Sequence, residues 1–422
     1  MKKYILSAGL IATLLSSCTG EYLNPGTASE QQVVASQSGL IALVNGLQQK
    51  FTTSRAGVLY TAINADGLTT KQLTVLNAGN TDEVLLESGG SSLINNNGIL
   101  TNLWNQAHLT KSNADLIIAN ANNAPDPAIR SGILAYAHLF RALSLGTLAT
   151  FWEQVPVAVG SNATFSPRTV ALQEAVSSLE TAAAALAQNP PSAAFNSQVV
   201  PGIVIAPTVQ ALLARYQLML GNFDAAIAAA DRVPSSAKSG FNFDDVSPNP
   251  IFFSSFGNRN VTEPTANFGL PSTLAPTSAD GRRSFYYSAG GNLNLGRAGF
   301  YTSNTSAVPV YLPGEMNLIK AEAHARKGNL PQAITELNTV LTKKTDVWGV
   351  QAGEEAYTGE NSAAAILAEI YRQRSIELFL SGMRIEDSRR FGRPTTERSR
   401  NWYPYPLSER NNNTSTPSDP TN

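Results

Sequence analysis

The residue with the clearest chemistry in this sequence is Cys18, the only cysteine in the chain. It follows residues 15–17 (LSS), a spacing typical of a bacterial lipobox, in which the thiol is acylated before a peptidase cuts in front of it. Positive charge at positions 2–3 and an apolar stretch over 4–15, shorter than the ~20 residues that span a bilayer, fit an export signal. The sequence therefore predicts a signal peptide over residues 1–17 and lipidation, including palmitate, of Cys18. An ordinary signal peptide with a cysteine nearby by chance is the alternative.

No group of residues has the spacing of a catalytic or metal site. The three histidines, His108, His138 and His324, lie far apart, each in a predicted helix, and none takes part in an HExxH pattern. Residues 235–238 formally satisfy the S-x-x-K pattern, but they follow a proline in a predicted loop and lack the companion motifs. We expect structural or surface roles for the histidines, and we predict no enzymatic activity and no cofactor.

An arginine-rich stretch near the C-terminus could suggest an anion site. Carboxylates are interleaved with these arginines at helical spacing, which favours ion pairs that hold the last helices together. The arginines are Arg372, Arg374, Arg384, Arg389, Arg390 and Arg393, and the carboxylates are Glu369, Glu377, Glu386 and Asp387. We therefore predict that this stretch is structural.

Ligand capture would rest on exposed aromatic side chains, because sugar rings and peptide side chains stack on flat apolar faces while neighbouring amides bind hydroxyl groups. Trp348 is the first candidate, since it lies in a Gly- and Glu-rich insertion, residues 346–360, between two predicted helices. The predicted ligand-binding residues are Trp348, Tyr357, Tyr286, Tyr287 and Trp104. Ordinary packing in the core is the alternative for each, and it is favoured by the apolar neighbours of Trp104.

The helices that must position these side chains show an internal repeat. When Gly221 is aligned with Gly328, residues 211–233 and 318–340 share an asparagine after the glycine and a following Ala-Ile pair. Glycine supplies backbone freedom at the end of one helix, and small alanines let the next helix pack closely against it. The pattern is typical of a tetratricopeptide helix pair, whose repeat is ~34 residues, although two alanine-rich helices can also resemble each other by chance. Helix pairs are predicted at approximately 131–188, 208–233, 315–341 and 363–391.

Three further segments complete the predicted organisation. Residues 18–31 form the lipidated cysteine and a polar tether, and residues 32–416 form a single domain. Within that domain, residues 240–312 carry no helical periodicity and are dense in Gly, Pro, Ser and aromatic residues, so they are expected to be functional or to pack by their own side chains. Residues 417–422 are expected to be disordered.

Asp126 and the proline after it predict the start of a long helix, because Asp is a favourable N-cap and Pro suits the first turn.

The balance of charge narrows the class of partner. The chain has 30 basic and 31 acidic side chains, and only 14% of its residues are charged. Neither a nucleic acid nor a polybasic membrane surface is indicated. The neutral polar groups that remain suit uncharged ligands such as sugars, and they suit protein surfaces equally well.

The C-terminal block resembles the signature of the SusD/RagB family. Residues 368–384 (AEIYRQRSIELFLSGMR) end in Glu-Leu, a small residue and Gly-x-Arg, and residues 387–392 (DSRRFG) continue with Arg-Arg-x-Gly. Residues 405–411 (YPLSERN) look like the family's terminal motif, and residues 309–323 look like the segment that leads into its last tetratricopeptide unit. Nearer the front, Trp104 ahead of Asn113 and residues 140–142 (FRA) ahead of 155–156 (VP) also fit, so that with the lipobox the matches touch nearly the whole chain.

The resemblance implies an all-α body of tetratricopeptide-like helical repeats, an α-α superhelix, with an irregular, loop-rich ligand-binding region. It also implies a lipid-anchored protein of the outer membrane, on the cell surface, that captures oligosaccharides or peptides and delivers them to a SusC-like TonB-dependent barrel. Only Glu21 follows Cys18 as an acidic export signal, so the face of the membrane stays open. The alternative is a tetratricopeptide adaptor lipoprotein that scaffolds a membrane protein complex. The sequence does not choose between glycan and peptide cargo.

Overall fold

Helices make up most of the structure, a computed structural model that describes residues 29–257, 260–287 and 299–421. The predicted signal peptide and Cys18 lie outside the described residues. In chain order the α-helices are α1 (Glu30–Val34), α2 (Gln37–Thr52), α3 (Val58–Thr69), α4 (Thr81–Ser88), α5 (Gly98–Asn120), α6 (Pro127–Phe151), α7 (Arg168–Gln188), α8 (Ala193–Asn196), α9 (Ile205–Leu220), α10 (Phe223–Ala230), α11 (Gly281–Tyr286), α12 (Pro313–Arg326), α13 (Leu330–Leu341), α14 (Ala363–Glu377), α15 (Arg384–Arg390) and α16 (Leu407–Asn412). The all-α class predicted from the sequence is confirmed.

Short strands form three two-stranded antiparallel sheets within the described residues. The pairs are β1 (Leu73–Val75) with β5 (Thr262–Pro264), β2 (Gln154–Pro156) with β3 (Phe165–Pro167), and β4 (Gly240–Phe241) with β6 (Val308–Pro309). The β4–β6 register places Gly240 opposite Pro309. This small sheet therefore brings together the two ends of the irregular segment 240–312.

Two helix pairs repeat the same turn geometry, as their shared glycines predict. Gly221 after α9 and Gly328 after α12 both have a φ of +79°, a left-handed conformation that favours glycine. The next residue closes each turn in the same way: Asn222 N–H donates to a carbonyl of α9 at 2.9 Å, and Asn329 N–H donates to a carbonyl of α12 at 2.9 Å. These bonds satisfy carbonyls that a helix end leaves free, so each short turn reverses the chain into the next helix.

Helix α6 is the longest of the described helices and is largely buried. Asp126 caps its first turn by accepting from Ala128 N–H at 2.8 Å, and Pro127 is its first residue, as the sequence predicts. This helix is long and apolar enough to span a membrane by length and composition, yet 78% of its most apolar window is buried inside the protein. It packs mainly against α5 and α7. The hydrophobic residues of α6 therefore belong to the core of the body.

The arginine-rich C-terminal stretch forms ion pairs, which confirms its predicted structural role. Arg374 Nε lies 2.8 Å from Asp387 Oδ2, and Arg390 Nη2 lies 2.6 Å from Asp387 Oδ1. Arg390 also reaches Glu322 of α12 at 2.8 Å. Because these contacts join α14, α15 and α12, they fix the last helices to the preceding helix pair.

The irregular segment and the C-terminal tail contain more structure than the sequence indicates. The segment 240–312 includes α11, β4, β5, β6, a π-helical turn at Phe252–Phe256 and two 3-10 turns. Each of these elements is too short to show a period in the sequence. At the C-terminus, where disorder was expected, Asp419 Oδ1 accepts from Tyr405 N–H at 2.9 Å and from Arg410 Nη2 at 2.6 Å. These contacts hold the tail against the body.

Candidate ligand surface around Trp348

Trp348 lies on a tight turn that follows α13. The carboxylate of Asp346 accepts from Trp348 N–H at 2.9 Å and from Val350 N–H at 3.0 Å. Gly349 continues the turn with a φ of +82°, and its N–H donates to the Asp346 carbonyl at 2.9 Å. One carboxylate thus fixes the backbone on both sides of the indole.

A chain of buried charges connects this turn to two helices. Lys343 Nζ lies 2.7 Å from Asp346 Oδ2 and also pairs with Glu377 of α14. Glu377 in turn pairs with Arg282 of α11 at 3.2 Å, and Arg282 pairs with Asp280 at 2.7 Å. The side chains of Glu377, Arg282 and Asp280 are fully buried. Because each charge has a partner, the chain can lie in the interior, and it ties the Trp348 turn to α11 and α14.

Trp348 is a partly exposed residue bordered by aromatic rings, and its indole N–H is buried without a hydrogen-bond partner among the described residues. The ring of Phe300 meets it edge to face, with centroids 5.7 Å apart and an interplanar angle of 86°. Phe285, whose ring centroid lies 5.2 Å from that of Phe300, extends the aromatic cluster. A Cβ added at Gly240 would lie 2.6 Å from Cη2 of Trp348, so the close approach of β4 to the indole requires glycine at this position. We call the partly exposed Trp348 and Phe285 the Trp348 surface, and the buried Phe300 supports both rings.

A cation lies over the face of the same indole. Lys238 Nζ is 4.6 Å from the Trp348 ring centroid, within the distance of a cation–π contact. Lys238 is exposed, and it belongs to the S-x-x-K stretch for which the sequence indicated no chemistry. The arrangement offers an apolar stacking face together with a positive charge.

Tyr286, the last residue of α11, and Tyr287, which follows it, differ in exposure. Tyr286 is fully buried, and its hydroxyl donates to the Glu377 carbonyl at 3.0 Å. Burial raises the pKa of the Tyr286 hydroxyl well above its ordinary value. Tyr287 is partly buried, and its hydroxyl donates to the Thr265 carbonyl at 3.0 Å while it accepts from Phe268 N–H at 2.9 Å. The predicted ligand contact at Tyr286 is therefore wrong, because this side chain packs in the core. The hydroxyl of Tyr287 is already hydrogen-bonded to two backbone groups.

Trp104 is likewise placed in the core. Only 1% of its surface is exposed, and its ring packs against Trp152 with centroids 5.0 Å apart. Its indole N–H donates to Glu409 Oε2 at 3.1 Å, which satisfies the buried donor. As its apolar sequence neighbours indicated, Trp104 joins α5 to the C-terminal segment and has no free face for a ligand.

Tyr357, the last of the predicted residues, lies partly exposed beside α13. Its N–H donates to Asn338 Oδ1 at 2.7 Å, and its hydroxyl donates to the Glu360 carbonyl at 2.9 Å. Its ring packs on a small separate core formed by α12, α13 and α14. No contact between described residues joins Tyr357 to Trp348, so the structure does not bring these two candidates together.

The histidines offer no reactive group at this surface. Burial lowers the pKa of His108 to about 3 and that of His138 to about 4, so both rings are neutral near pH 7. Within residues 29–257, 260–287 and 299–421, no three His, Cys, Asp or Glu side chains are arranged to hold a metal ion. The Trp348 surface offers a ligand an aromatic ring and a positive charge.

Comparisons with known proteins support the fold. Residues 265–420 match the model of the SusD family. A SusD superfamily protein from Bacteroides vulgatus superposes with a TM-score of 0.68 at 15% identity, covering 91% of this chain and 99% of that chain. A SusD superfamily protein from Parabacteroides distasonis gives a TM-score of 0.69 at 16% identity, covering 93% and 99%. A SusD-like carbohydrate-binding protein from Bacteroides vulgatus gives 0.66 at 15% identity, covering 83% of each chain. None of the curated proteins matches the chain significantly.

Proposed function

We propose, because this chain belongs to the SusD/RagB family, that it binds oligosaccharides at the outer membrane and delivers them to a SusC-like TonB-dependent barrel. In this role the protein captures and hands over its cargo, and it makes or breaks no bond. The lipobox at Cys18 supports an anchored protein whose body is held at the membrane by residues 18–31.

The observation that carries the proposal is the partly exposed indole of Trp348 on a fixed turn. Sugar rings present apolar C–H faces that pack on an aromatic plane. Asp346 holds the backbone of the turn, and Phe300 contacts the ring edge to face. A relative with the same fold is described as carbohydrate-binding, which favours a glycan over a peptide as cargo.

The binding step is tested by replacing Trp348 with alanine. Loss of this stacking surface should weaken the binding of oligosaccharides by about tenfold or more. A glycan array identifies the oligosaccharides that bind, and calorimetry measures their affinity for the two proteins. Phe253→Ala is the matched control, because Phe253 is 60% exposed and lies in a different part of the irregular segment. An unchanged affinity in the Trp348→Ala variant would move the binding site elsewhere.

The delivery step is tested by pull-down of the lipidated protein from gently solubilised outer membranes. Recovery of a TonB-dependent barrel in stoichiometric amount is expected. Recovery of periplasmic or assembly proteins without a barrel would instead support the adaptor role.

A further inference from the structure

Three segments meet around the Trp348 surface, and their charges are unbalanced. The segments are residues 234–241, 281–287 and 343–350, which carry Lys238, Phe285 and Trp348 respectively. Their only acidic residue is Asp346, which is already paired with Lys343. The positive charges of these segments therefore exceed the negative ones.

These surplus charges form no ion pair among the described residues, although Lys238 makes the cation–π contact with Trp348. Lys238, Arg283 and Lys344 have no carboxylate partner among the described residues, and their side chains donate no hydrogen bond there. Residues 258–259 and 288–298, which the structure does not describe, contain no Asp or Glu, and the other undescribed residues, 1–28 and 422, contain Glu21 and the C-terminal carboxylate. Lys238 and Lys344 are exposed, and Arg283 is partly exposed. Arg374 and Lys320, by contrast, are paired with carboxylates.

We propose that the Trp348 surface selects acidic oligosaccharides, those that carry uronate carboxylates or sulfate groups, with Lys238 as the residue that determines this specificity. The proposal rests on the proposed function, since it names the class of glycan that the same surface takes. A sugar ring packs on the exposed part of the indole, and its anionic group pairs with Lys238 Nζ, which lies 4.6 Å from the ring centroid. Arg283 and Lys344 add attraction at longer range. A charge-assisted contact of this kind is stronger than a hydrogen bond between neutral groups.

The test uses pairs of glycans that differ only in charge. Oligogalacturonate is compared with its methyl ester, and sulfated chondroitin oligosaccharides with their desulfated forms, on the full-length protein in detergent. We expect the acidic member of a pair to bind at least about tenfold more tightly than its neutral counterpart at low salt. That preference should fall by about tenfold as sodium chloride rises from about 50 to about 500 mM, because exposed charges are screened.

Variants separate charge from stacking. Lys238→Met should abolish the preference for the acidic member, and Lys238→Arg should retain it. Trp348→Ala should weaken binding of the acidic and neutral members alike. Lys327→Met is the matched control, because it removes the same charge from the turn between α12 and α13, where Lys327 pairs with Asp224.

The outcomes distinguish this inference from the proposed function. If neutral glycans bind as tightly as acidic ones, or if Lys238→Met leaves the preference intact, the acidic class is rejected while glycan binding at Trp348 stands. If no acidic or neutral glycan on a broad array is retained, both proposals are rejected. A third outcome is that the protein binds no glycan but binds polyglutamate peptides in a salt-sensitive way that Lys238→Met abolishes. This outcome would overturn both proposals in favour of an acidic peptide as ligand.

Discussion

Gly221 and Gly328 have the same left-handed backbone conformation, with φ at +79° in both, at the turns of two successive helix pairs. A Cβ added at either position would meet no atom within 4 Å. Any cost of a side chain there must therefore come from the backbone conformation and not from packing.

Replacing either glycine with alanine tests this equivalence. Gly221→Ala and Gly328→Ala should each lower the free energy of unfolding by about 1 kcal/mol, because an L-residue is strained at positive φ. Gly46→Ala is the control: Gly46 lies within helix α2, its added Cβ also meets nothing within 4 Å, and its φ is not positive. This variant should be neutral or more stable by a few tenths to about 1 kcal/mol. Urea denaturation measures all three, and a loss in Gly46→Ala equal to the other two would contradict the backbone explanation.

Asp346 should be the residue on which the Trp348 turn depends. Asp346→Ala removes the acceptor for two backbone N–H groups and leaves Lys343 with one carboxylate instead of two. We expect the free energy of unfolding to fall by about 1–3 kcal/mol and the indole to become more accessible to acrylamide quenching. Asp245→Ala, at an exposed aspartate of the irregular segment, should change stability by less than about 0.5 kcal/mol. Unchanged quenching in Asp346→Ala would mean that other contacts hold the turn.

The burial of His108 predicts a specific loss of stability in acid. Its pKa falls from 6.5 to about 3 in the folded protein because of burial, so below about pH 6.5 the unfolded chain binds a proton that the folded protein does not. Stability linked to His108 is therefore full above pH 6.5 and is lost as the pH falls towards 3. As the pH falls from about 7.5 to about 5, the free energy of unfolding of His108→Leu should rise by about 2 kcal/mol relative to that of the wild type. The difference between the two proteins at the higher pH serves as the baseline, and a constant difference across the range would refute the prediction.

Asp387 offers a test of the buried ion pairs. Burial disfavours its charged form, but Arg374 and Arg390 outweigh this effect and keep the pKa of Asp387 below its ordinary value. Asp387→Ala leaves both arginines in the interior without this partner and should cost about 3–5 kcal/mol. Asp224→Ala breaks an exposed pair with Lys327 and should cost between about 0 and 1 kcal/mol. Thermal unfolding measures the loss of stability in both variants, and equal losses would contradict the prediction.

Local signals made much of the fold predictable. Gly221 and Gly328 mark turns because the left-handed conformation depends on the residue itself, and Asp126 marks a helix start because a cap acts within three residues. Trp348 was predictable as a candidate in the same way, since a Gly-rich stretch between helices indicates an exposed turn.

The surroundings of Trp348 were not predictable because they depend on pairing between distant segments. Gly240 and the neighbouring Lys238 reach the indole through the β4–β6 ladder, and two-residue strands give no periodic pattern. Tyr286 and Tyr287 are adjacent in the sequence, yet only the first is fully buried, because Tyr286 packs against the end of α14 while Tyr287 contacts Thr265 and Phe268. The predicted site therefore contained buried aromatics and omitted the cation that lies on the indole.

The buried chain of charges from Lys343 through Glu377 to Arg282 has a thermodynamic consequence for recognition. Movement of the Trp348 turn away from α11 and α14 would separate ions in the interior, so the turn is already ordered before any ligand arrives. Association then restricts the freedom of the ligand and of the Lys238 side chain but not that of the backbone that carries the indole. A preorganised surface of this kind distinguishes ligands by their shape, because it does not adjust to those that fit poorly.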